Sequence, residues 1–181
     1  MNSNPKRLLE FIDQRLNTSL EITLFGRSAL SLRFPDHPPY GRTVDVDVIL
    51  HHGQAEAWLD QTNFWEVVDQ LNKYFRPENL YMTHFFDEQQ LILRPDWQRH
   101  RNPVKTTYQN LRVFLPSDED LFLTKLMRFD PIDLEDARTI ANAAGWRNEQ
   151  IQDIINSARV PDIQELKEQF RLCTREILSG A

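Results

Sequence analysis

Two aspartates separated by one residue are the first side chains in this sequence that could do chemistry. Asp45 and Asp47 alternate with valines in the segment Thr43–Leu50, which is the period of a β-strand with one apolar face and one acidic face. Side chains two residues apart on a strand point the same way, so these two carboxylates suit a shared divalent cation. Taken alone, such a pair is more often a solvated acidic surface.

A turn upstream of the acidic strand makes a binding site the better interpretation. Gly26 and Ser28 follow the predicted strand Glu21–Phe25. A short helix is predicted directly after them, over Ala29–Phe34. A strand-to-helix turn can offer backbone N–H groups and a hydroxyl to a phosphate. The turn and the acidic strand together predict a metal–nucleotide site.

Two arginines are candidates for the nucleotide-binding part of that site. Arg27 lies inside the turn, where it either supplies a cation or blocks close approach of the backbone to a phosphate. Arg42 precedes the acidic strand and either reaches a phosphate or pairs with Asp36.

Length and composition limit the class of protein. A chain of 181 residues fits one domain, or a domain with a helical appendage. The net charge of -6 argues against sequence-independent nucleic-acid binding over the whole surface. Cys173 is the single cysteine, which excludes an intramolecular disulfide and a cysteine-rich metal site. No run approaches the ~20 apolar residues of a membrane span, so we expect a cytoplasmic protein without a membrane partner.

Hydrophobic periodicity predicts an α+β protein whose last third is helical. We expect an α/β domain over residues 1–116 and a helical part over residues 117–181 that packs on it. The proline-rich segment 35–41 is predicted to be a loop. The other predicted elements are a helix over Pro5–Leu16, one long helix or two over Gln54–Phe75, a strand or helix over Leu80–Phe86, and strands over Gln90–Leu93 and Leu111–Leu115. The candidate helix caps of the last third are Ser117, Asp130, Asn148 and Asp162.

The order strand, Gly-x-Ser-Ala-Leu turn, helix and Asp-x-Asp strand resembles the nucleotidyltransferase superfamily that includes DNA polymerase β. A later stretch, Leu-Pro-Ser-Asp-Glu-Asp-Leu-Phe-Leu-Thr-Lys-Leu-Met-Arg, is followed by Asp-Leu-Glu-Asp over residues 133–136. These segments resemble a branch of small bacterial nucleotidyltransferase-like proteins near the abortive-infection toxins. The similarity runs from Glu21 to Ala144, and it implies a mixed sheet flanked by helices with an all-helical C-terminal part.

The resemblance also implies an activity, which is nucleotidyl transfer from a nucleoside triphosphate to a hydroxyl of an RNA, a protein or a small molecule. Asp45 and Asp47 match the family's metal-binding pair, for Mg²⁺ or Mn²⁺, whose hard oxygen ligands are carboxylates. Lys125 matches a helix lysine that meets phosphate or supports the acidic strand; the alternative is a lysine on a helix surface. Asp133 matches the acidic residue of the Asp-Leu-Glu-Asp segment; the alternative is a residue that stabilises a helix N-terminus.

One departure from the family pattern bears on catalysis. Active members often carry a third carboxylate on a following strand, and Leu91–Leu93 has none in register. Asp96 and Asp87 are the candidates, and Asp96 is preferred. Without a third acid there is no general base for the acceptor. The alternative function is therefore a catalytically silent protein that binds a partner, such as one half of a toxin–antitoxin pair.

A basic cluster stands out in this acidic chain. Its members are Arg94, Arg99, His100, Arg101 and Lys105. Such a cluster could bind a nucleic acid such as tRNA, because lysine and arginine neutralise phosphates. The alternative is a loop that forms ion pairs with Asp96 or with the helical part.

Overall fold

The computed structural model describes residues 3–51 and 62–179, which form two compact units. The first unit contains the described residues up to Asp87 together with Asn102–Leu115. The second contains Glu88–Arg101 and the chain from Pro116 onward, so the segment before Asn102 belongs with the C-terminal helices. None of the helices in these ranges is long and apolar enough to cross a lipid bilayer.

A five-stranded mixed sheet forms the centre of the first unit. Its strands are β1 (Leu20–Phe25), β2 (Asp45–Leu50), β3 (Tyr81–Asp87), β4 (Asn102–Pro103) and β5 (Leu111–Leu115). Their order across the sheet is β3-β2-β1-β5-β4. The pairs β2–β3 and β1–β5 are parallel, and the pairs β1–β2 and β4–β5 are antiparallel. The predicted α+β class, with a mixed sheet flanked by helices and a helical C-terminal part, is confirmed.

The alternation that predicts the acidic strand is visible in its burial. Val46 and Val48 on β2 are fully buried, and Leu24 on β1 lies opposite Val48 in the antiparallel pair. Asp45 and Asp47 on the other face of β2 are only partly buried. Because each fully buried aliphatic side chain contributes about 1.5–3 kcal/mol, the apolar face fixes which way the carboxylates point.

The described helices of the first unit are α1 (Asn4–Asp13), α2 (Gly26–Arg33), α3 (Pro38–Gly41) and α4 (Thr62–Phe75). The prediction of a helix over 54–75 is confirmed for Thr62–Phe75, and its part over 54–61 lies outside the described residues. The prediction of a loop over 35–41 is wrong for the single helical turn α3. Prolines suit the first positions of a helix, and Tyr40 holds this turn in place because it is buried and stacks on His37.

An aspartate at the end of α1 fixes the start of β5. The Asp13 carboxylate accepts backbone N–H bonds from Gln109, Asn110 and Leu111, with shortest distances of 3.0, 2.7 and 2.9 Å. Leu111 is the first residue of β5 and pairs with Leu20 of β1. This carboxylate, almost 100 residues from its partners, thus fixes where the parallel pair begins.

The described α-helices of the second unit are α5 (Asp118–Lys125), α6 (Pro131–Ala144), α7 (Asn148–Asn156) and α8 (Gln164–Ser179). Two predicted caps are confirmed, since the Ser117 side chain accepts from the Asp120 N–H and the Asp130 side chain accepts from the Ile132 N–H. The prediction that Asn148 caps a helix is wrong by one residue. Asn148 is the first helical residue of α7, and the cap position before it is held by Arg147. The Arg147 N–H donates to the side-chain oxygen of Gln150 at 3.0 Å.

The predicted strand over Gln90–Leu93 is wrong. Leu91, Ile92 and Leu93 are fully buried, but within the described part of the chain only Leu93 pairs with another segment. It forms one isolated bridge, in which the Arg159 N–H donates to the Leu93 carbonyl at 2.8 Å. A short apolar run indicates burial, and it does not distinguish a strand from any other buried segment.

Candidate functional site

The two predicted carboxylates lie together on β2 and are joined by a histidine on β3. The Nδ1 atom of His84 lies 3.1 Å from Asp47 Oδ1 and 3.7 Å from Asp45 Oδ2. A ligand atom from each of these three side chains lies within 4.8 Å of the other two, and no other such group occurs in residues 3–51 and 62–179. The Thr43 hydroxyl donates to Asp45 Oδ1 at 2.9 Å and so orients that carboxylate.

An irregularity in the sheet brings His84 to this position. Asp45 pairs with Tyr81 and Asp47 pairs with His84, so β3 advances three residues where β2 advances two. In a regular parallel pair Thr83 would lie opposite Asp47, and the histidine would point to the other face. Sequence reasoning missed His84 because the alternation of side chains along a strand does not reveal where the strand contains an extra residue. The one available signal was a histidine inside a predicted strand.

A glycine places the Asp47 carboxylate against the start of α2. Gly26 has a φ of +62°, and a Cβ atom added there would lie 2.5 Å from Asp47 Oδ2. The prediction of a separate turn over residues 26–28 is wrong, because α2 begins at Gly26 itself. Glycine adopts this left-handed conformation readily, so the chain passes from strand to helix without a linker. The carboxylate therefore lies near the partial positive charge of a helix N-terminus.

The Ser28 hydroxyl connects α2 to β2. Ser28 is fully buried, and its hydroxyl donates to the Phe25 carbonyl at 2.8 Å and accepts from the Asp47 N–H at 3.3 Å. These bonds hold the backbone of Asp47 in place. A contact between Ser28 and a phosphate stays a prediction.

The two candidate arginines belong to the same unit as the aspartates. The Arg27 guanidinium carbon lies 5.7 Å from the centre of the Tyr40 ring, a distance typical of a cation–π contact. Arg42 is exposed and lies three residues before β2 begins. Their roles in binding a nucleotide stay predictions.

Lys125 and Asp133 form a buried ion cluster in the second unit. Lys125 Nζ lies 2.9 Å from Asp133 Oδ1 and 2.8 Å from Asp136 Oδ2, and all three residues are at most 5% exposed. Arg128 also pairs with Asp133, at 2.6 Å. Lys125 is therefore not a surface lysine. Its ammonium group lies between two carboxylates of α6, and together with the Arg128 guanidinium it balances their charge. A phosphate contact for Lys125 and a nucleotide-binding role for Asp133 stay predictions.

Neither candidate for a third acid is a member of the group formed by Asp45, Asp47 and His84. Asp96 belongs to the second unit and is more than half exposed. Its hydrogen bond with His100, 3.0 Å long, holds the pKa of the Asp96 carboxyl below its usual value. Asp87 is the last residue of β3 and pairs with Leu50, the last residue of β2. The role of Asp96 as a catalytic acid stays a prediction.

The first arginine of the basic cluster is engaged in an ion pair. Arg94 Nη2 lies 2.9 Å from Oδ2 of the fully buried Asp120, and the Arg94 N–H donates to the other oxygen of that carboxylate. The interpretation of the cluster as a loop paired with the helical part is confirmed for Arg94.

The comparison with protein families agrees with this geometry. A family model described as "Nucleotidyltransferase of unknown function (DUF6036)" matches residues 6–170. The chain therefore belongs to this nucleotidyltransferase family, and the predicted superfamily is confirmed. A search of curated proteins and a search of solved structures each found no match. Membership of the branch near the abortive-infection toxins stays a prediction.

The residues of the acidic face fit the divalent metal that nucleotidyltransferases generally use. Asp45 and Asp47 supply oxygen ligands, and their side chains are 25% and 17% exposed, so an ion can reach them from solvent. Gly26 leaves the space beside Asp47 open, which a Cβ atom would fill.

Proposed function

We propose that the chain is a metal-dependent nucleotidyltransferase that acts on a nucleoside triphosphate. The observation that carries this proposal is the pair Asp45 and Asp47, which share one face of β2 beside the first turn of α2. The chain that presents this pair belongs to a nucleotidyltransferase family. The two carboxylates would hold Mg²⁺ or Mn²⁺. Gly26 at the helix N-terminus, with Arg27, would bind the triphosphate.

The proposed reaction is a substitution at the α-phosphorus. A hydroxyl oxygen of the acceptor forms a bond to the α-phosphorus, the bond from that phosphorus to the bridging oxygen breaks, and pyrophosphate leaves with the electron pair. The acceptor proton passes to solvent or to a carboxylate. A bound divalent ion supplies charge neutralisation and alignment of the phosphates. The acceptor would be an RNA, a protein or a small molecule.

The proposal is tested by incubating the protein with each α-³²P-labelled nucleoside triphosphate in the presence of Mg²⁺ or Mn²⁺. Cell RNA or protein extract serves as the acceptor, and the transfer of label to it is measured. We expect a labelled acceptor with the wild type and none with Asp45→Asn or Asp47→Asn. Asp69→Asn is the matched control, because it removes an exposed carboxylate from the same unit. Equal transfer by Asp45→Asn and wild type would contradict the proposed site.

A catalytically silent protein that binds a partner, as in a toxin–antitoxin pair, is the second candidate function. It is favoured by the make-up of the group of three, whose third member among the described residues is His84 and not a further carboxylate that could serve as a base. Calorimetry with magnesium-ATP separates the two functions. Absence of transfer with every nucleotide, together with a stable protein partner and no nucleotide affinity, would support the silent function.

A further inference from the structure

His84 is placed as a third metal ligand would be. Two ligand atoms about 2.1 Å from one ion are about 3 Å apart when they are adjacent and about 4.2 Å apart when they are opposite. The observed distances from His84 Nδ1 to oxygens of Asp47 and Asp45, 3.1 and 3.7 Å, fall within this range. The ring is 47% exposed, so one side of the group is open to solvent.

The sheet irregularity is the structural device that creates this arrangement. A bulge changes which side chain reaches a given face of a strand. Here it replaces Thr83 by His84 opposite Asp47. The face consequently presents two carboxylate oxygens and one imidazole nitrogen.

We infer that His84 binds the metal ion through Nδ1 and makes the site prefer Mn²⁺ to Mg²⁺. This inference rests on the proposed function for the metal-binding role of Asp45 and Asp47. Mg²⁺ selects oxygen ligands and retains its waters. Mn²⁺ also suits carboxylate oxygens, but as a first-row transition-metal ion it accepts one imidazole nitrogen beside them more readily than Mg²⁺ does. Replacing one oxygen ligand by nitrogen therefore favours Mn²⁺ over Mg²⁺.

The contrasting role for His84 is a hydrogen bond alone. In that case the ring N–H donates to Asp47 Oδ1 over the same 3.1 Å and touches no ion. His100 offers a matched control, because it is also 47% exposed and also contacts a carboxylate, that of Asp96, at 3.0 Å.

Binding of Mn²⁺ to the full chain tests the inference without any activity assay. The Mn²⁺ affinity is measured by calorimetry with and without competing Mg²⁺, and pulsed electron paramagnetic resonance detects ¹⁴N coupling to bound Mn²⁺. We expect ¹⁴N coupling in the wild type and in His100→Gln. In His84→Gln we expect no ¹⁴N coupling and a Mn²⁺ affinity lower by about tenfold or more, which is the effect typical of losing a residue that supports a metal site. In His84→Asp, which restores an oxygen ligand, the preference for Mn²⁺ over Mg²⁺ should fall.

The outcomes separate this inference from the proposed function. Loss of Mn²⁺ binding in Asp45→Asn would support the metal site of the proposed function. If, in addition, the wild type shows no ¹⁴N coupling, or His84→Gln binds Mn²⁺ as the wild type does, the inferred role of His84 is wrong while the proposed function stands. If the wild type binds neither Mn²⁺ nor Mg²⁺, both the inference and the metal-dependent function are overturned.

Discussion

Replacement of Gly26 by alanine tests whether the space beside Asp47 matters for the site. The new Cβ atom would lie 2.5 Å from Asp47 Oδ2, which is closer than real Cβ contacts, so the carboxylate must rotate away. We expect this rotation to carry the Asp47 carboxylate away from His84 Nδ1, which lies 3.1 Å from its Oδ1 atom, and so to separate the three ligand atoms. We expect Gly26→Ala to weaken Mn²⁺ or Mg²⁺ binding by at least about tenfold, because the ligand geometry is lost.

The cost to folding can be separated from the loss of metal binding at the site. An alanine in the left-handed conformation costs about 1–2 kcal/mol, and rotation of one side chain from its preferred conformation adds about 0.5–1.5 kcal/mol. Gly145 has nearly the same φ, +68°, and a Cβ atom there would meet no atom within 4 Å. Gly145→Ala therefore has the backbone strain of Gly26→Ala without the contact.

The assay compares both variants by urea unfolding and by metal-binding calorimetry. Gly145→Ala should lose stability but bind metal as the wild type does. Gly26→Ala should show a loss of stability that is equal or slightly larger, together with weak metal binding. If Gly26→Ala binds metal normally, the argument that Gly26 makes room for the Asp47 ligand is refuted.

Three further predictions concern other parts of the chain. Ser28→Ala removes two hydrogen bonds, to the Phe25 carbonyl and from the Asp47 N–H, and should lower the free energy of unfolding by about 1–3 kcal/mol. The loss should be smaller for Ser31→Ala, whose hydroxyl donates one bond, and equal losses in urea unfolding would contradict this. Lys125→Met leaves two buried carboxylates without their ammonium partner and should lower the free energy of unfolding by about 3 kcal/mol. Lys73→Met, which removes an exposed ion pair, should have no measurable effect on the same urea-unfolding curve. Burial raises the pKa of the Cys173 thiol to about 11, so little reactive thiolate forms at pH 8. A thiol reagent should label the folded chain much more slowly than the urea-unfolded chain, and equal rates would show that this thiol is accessible.

The parts of the fold that the sequence predicts well are those set by neighbouring residues. The acidic strand follows from an alternation within eight residues, and the caps Ser117 and Asp130 follow from hydrogen bonds to N–H groups two or three residues ahead. The buried run Leu91–Leu93 shows the limit of this reasoning. Its apolar side chains report that it is buried, whereas pairing depends on which backbone lies beside it.

The parts of the site that the sequence does not predict depend on partners far along the chain. His84 reaches Asp47 across 37 residues, and only because one extra residue in β3 changes the alternation. Lys125 is recognisable as a lysine near the family segment, but its two buried carboxylate partners depend on how α5 packs against α6. Neither the extra residue nor that packing leaves a periodic pattern in the sequence.

The two aspartates are held to different degrees, and this difference decides which variant tests chemistry most cleanly. Asp47 is fixed through three elements, since its N–H donates to Ser28, its carboxylate lies against Gly26, and His84 contacts its other oxygen. Asp45 is oriented by the hydroxyl of Thr43, two residues away, and is more exposed. A side-chain substitution at Asp47 therefore changes the packing against Gly26 at the start of α2 as well as the ligand, whereas Asp45→Asn changes chiefly the ligand. Loss of nucleotidyl transfer in Asp45→Asn with unchanged unfolding would thus attribute the chemistry to the acidic face itself.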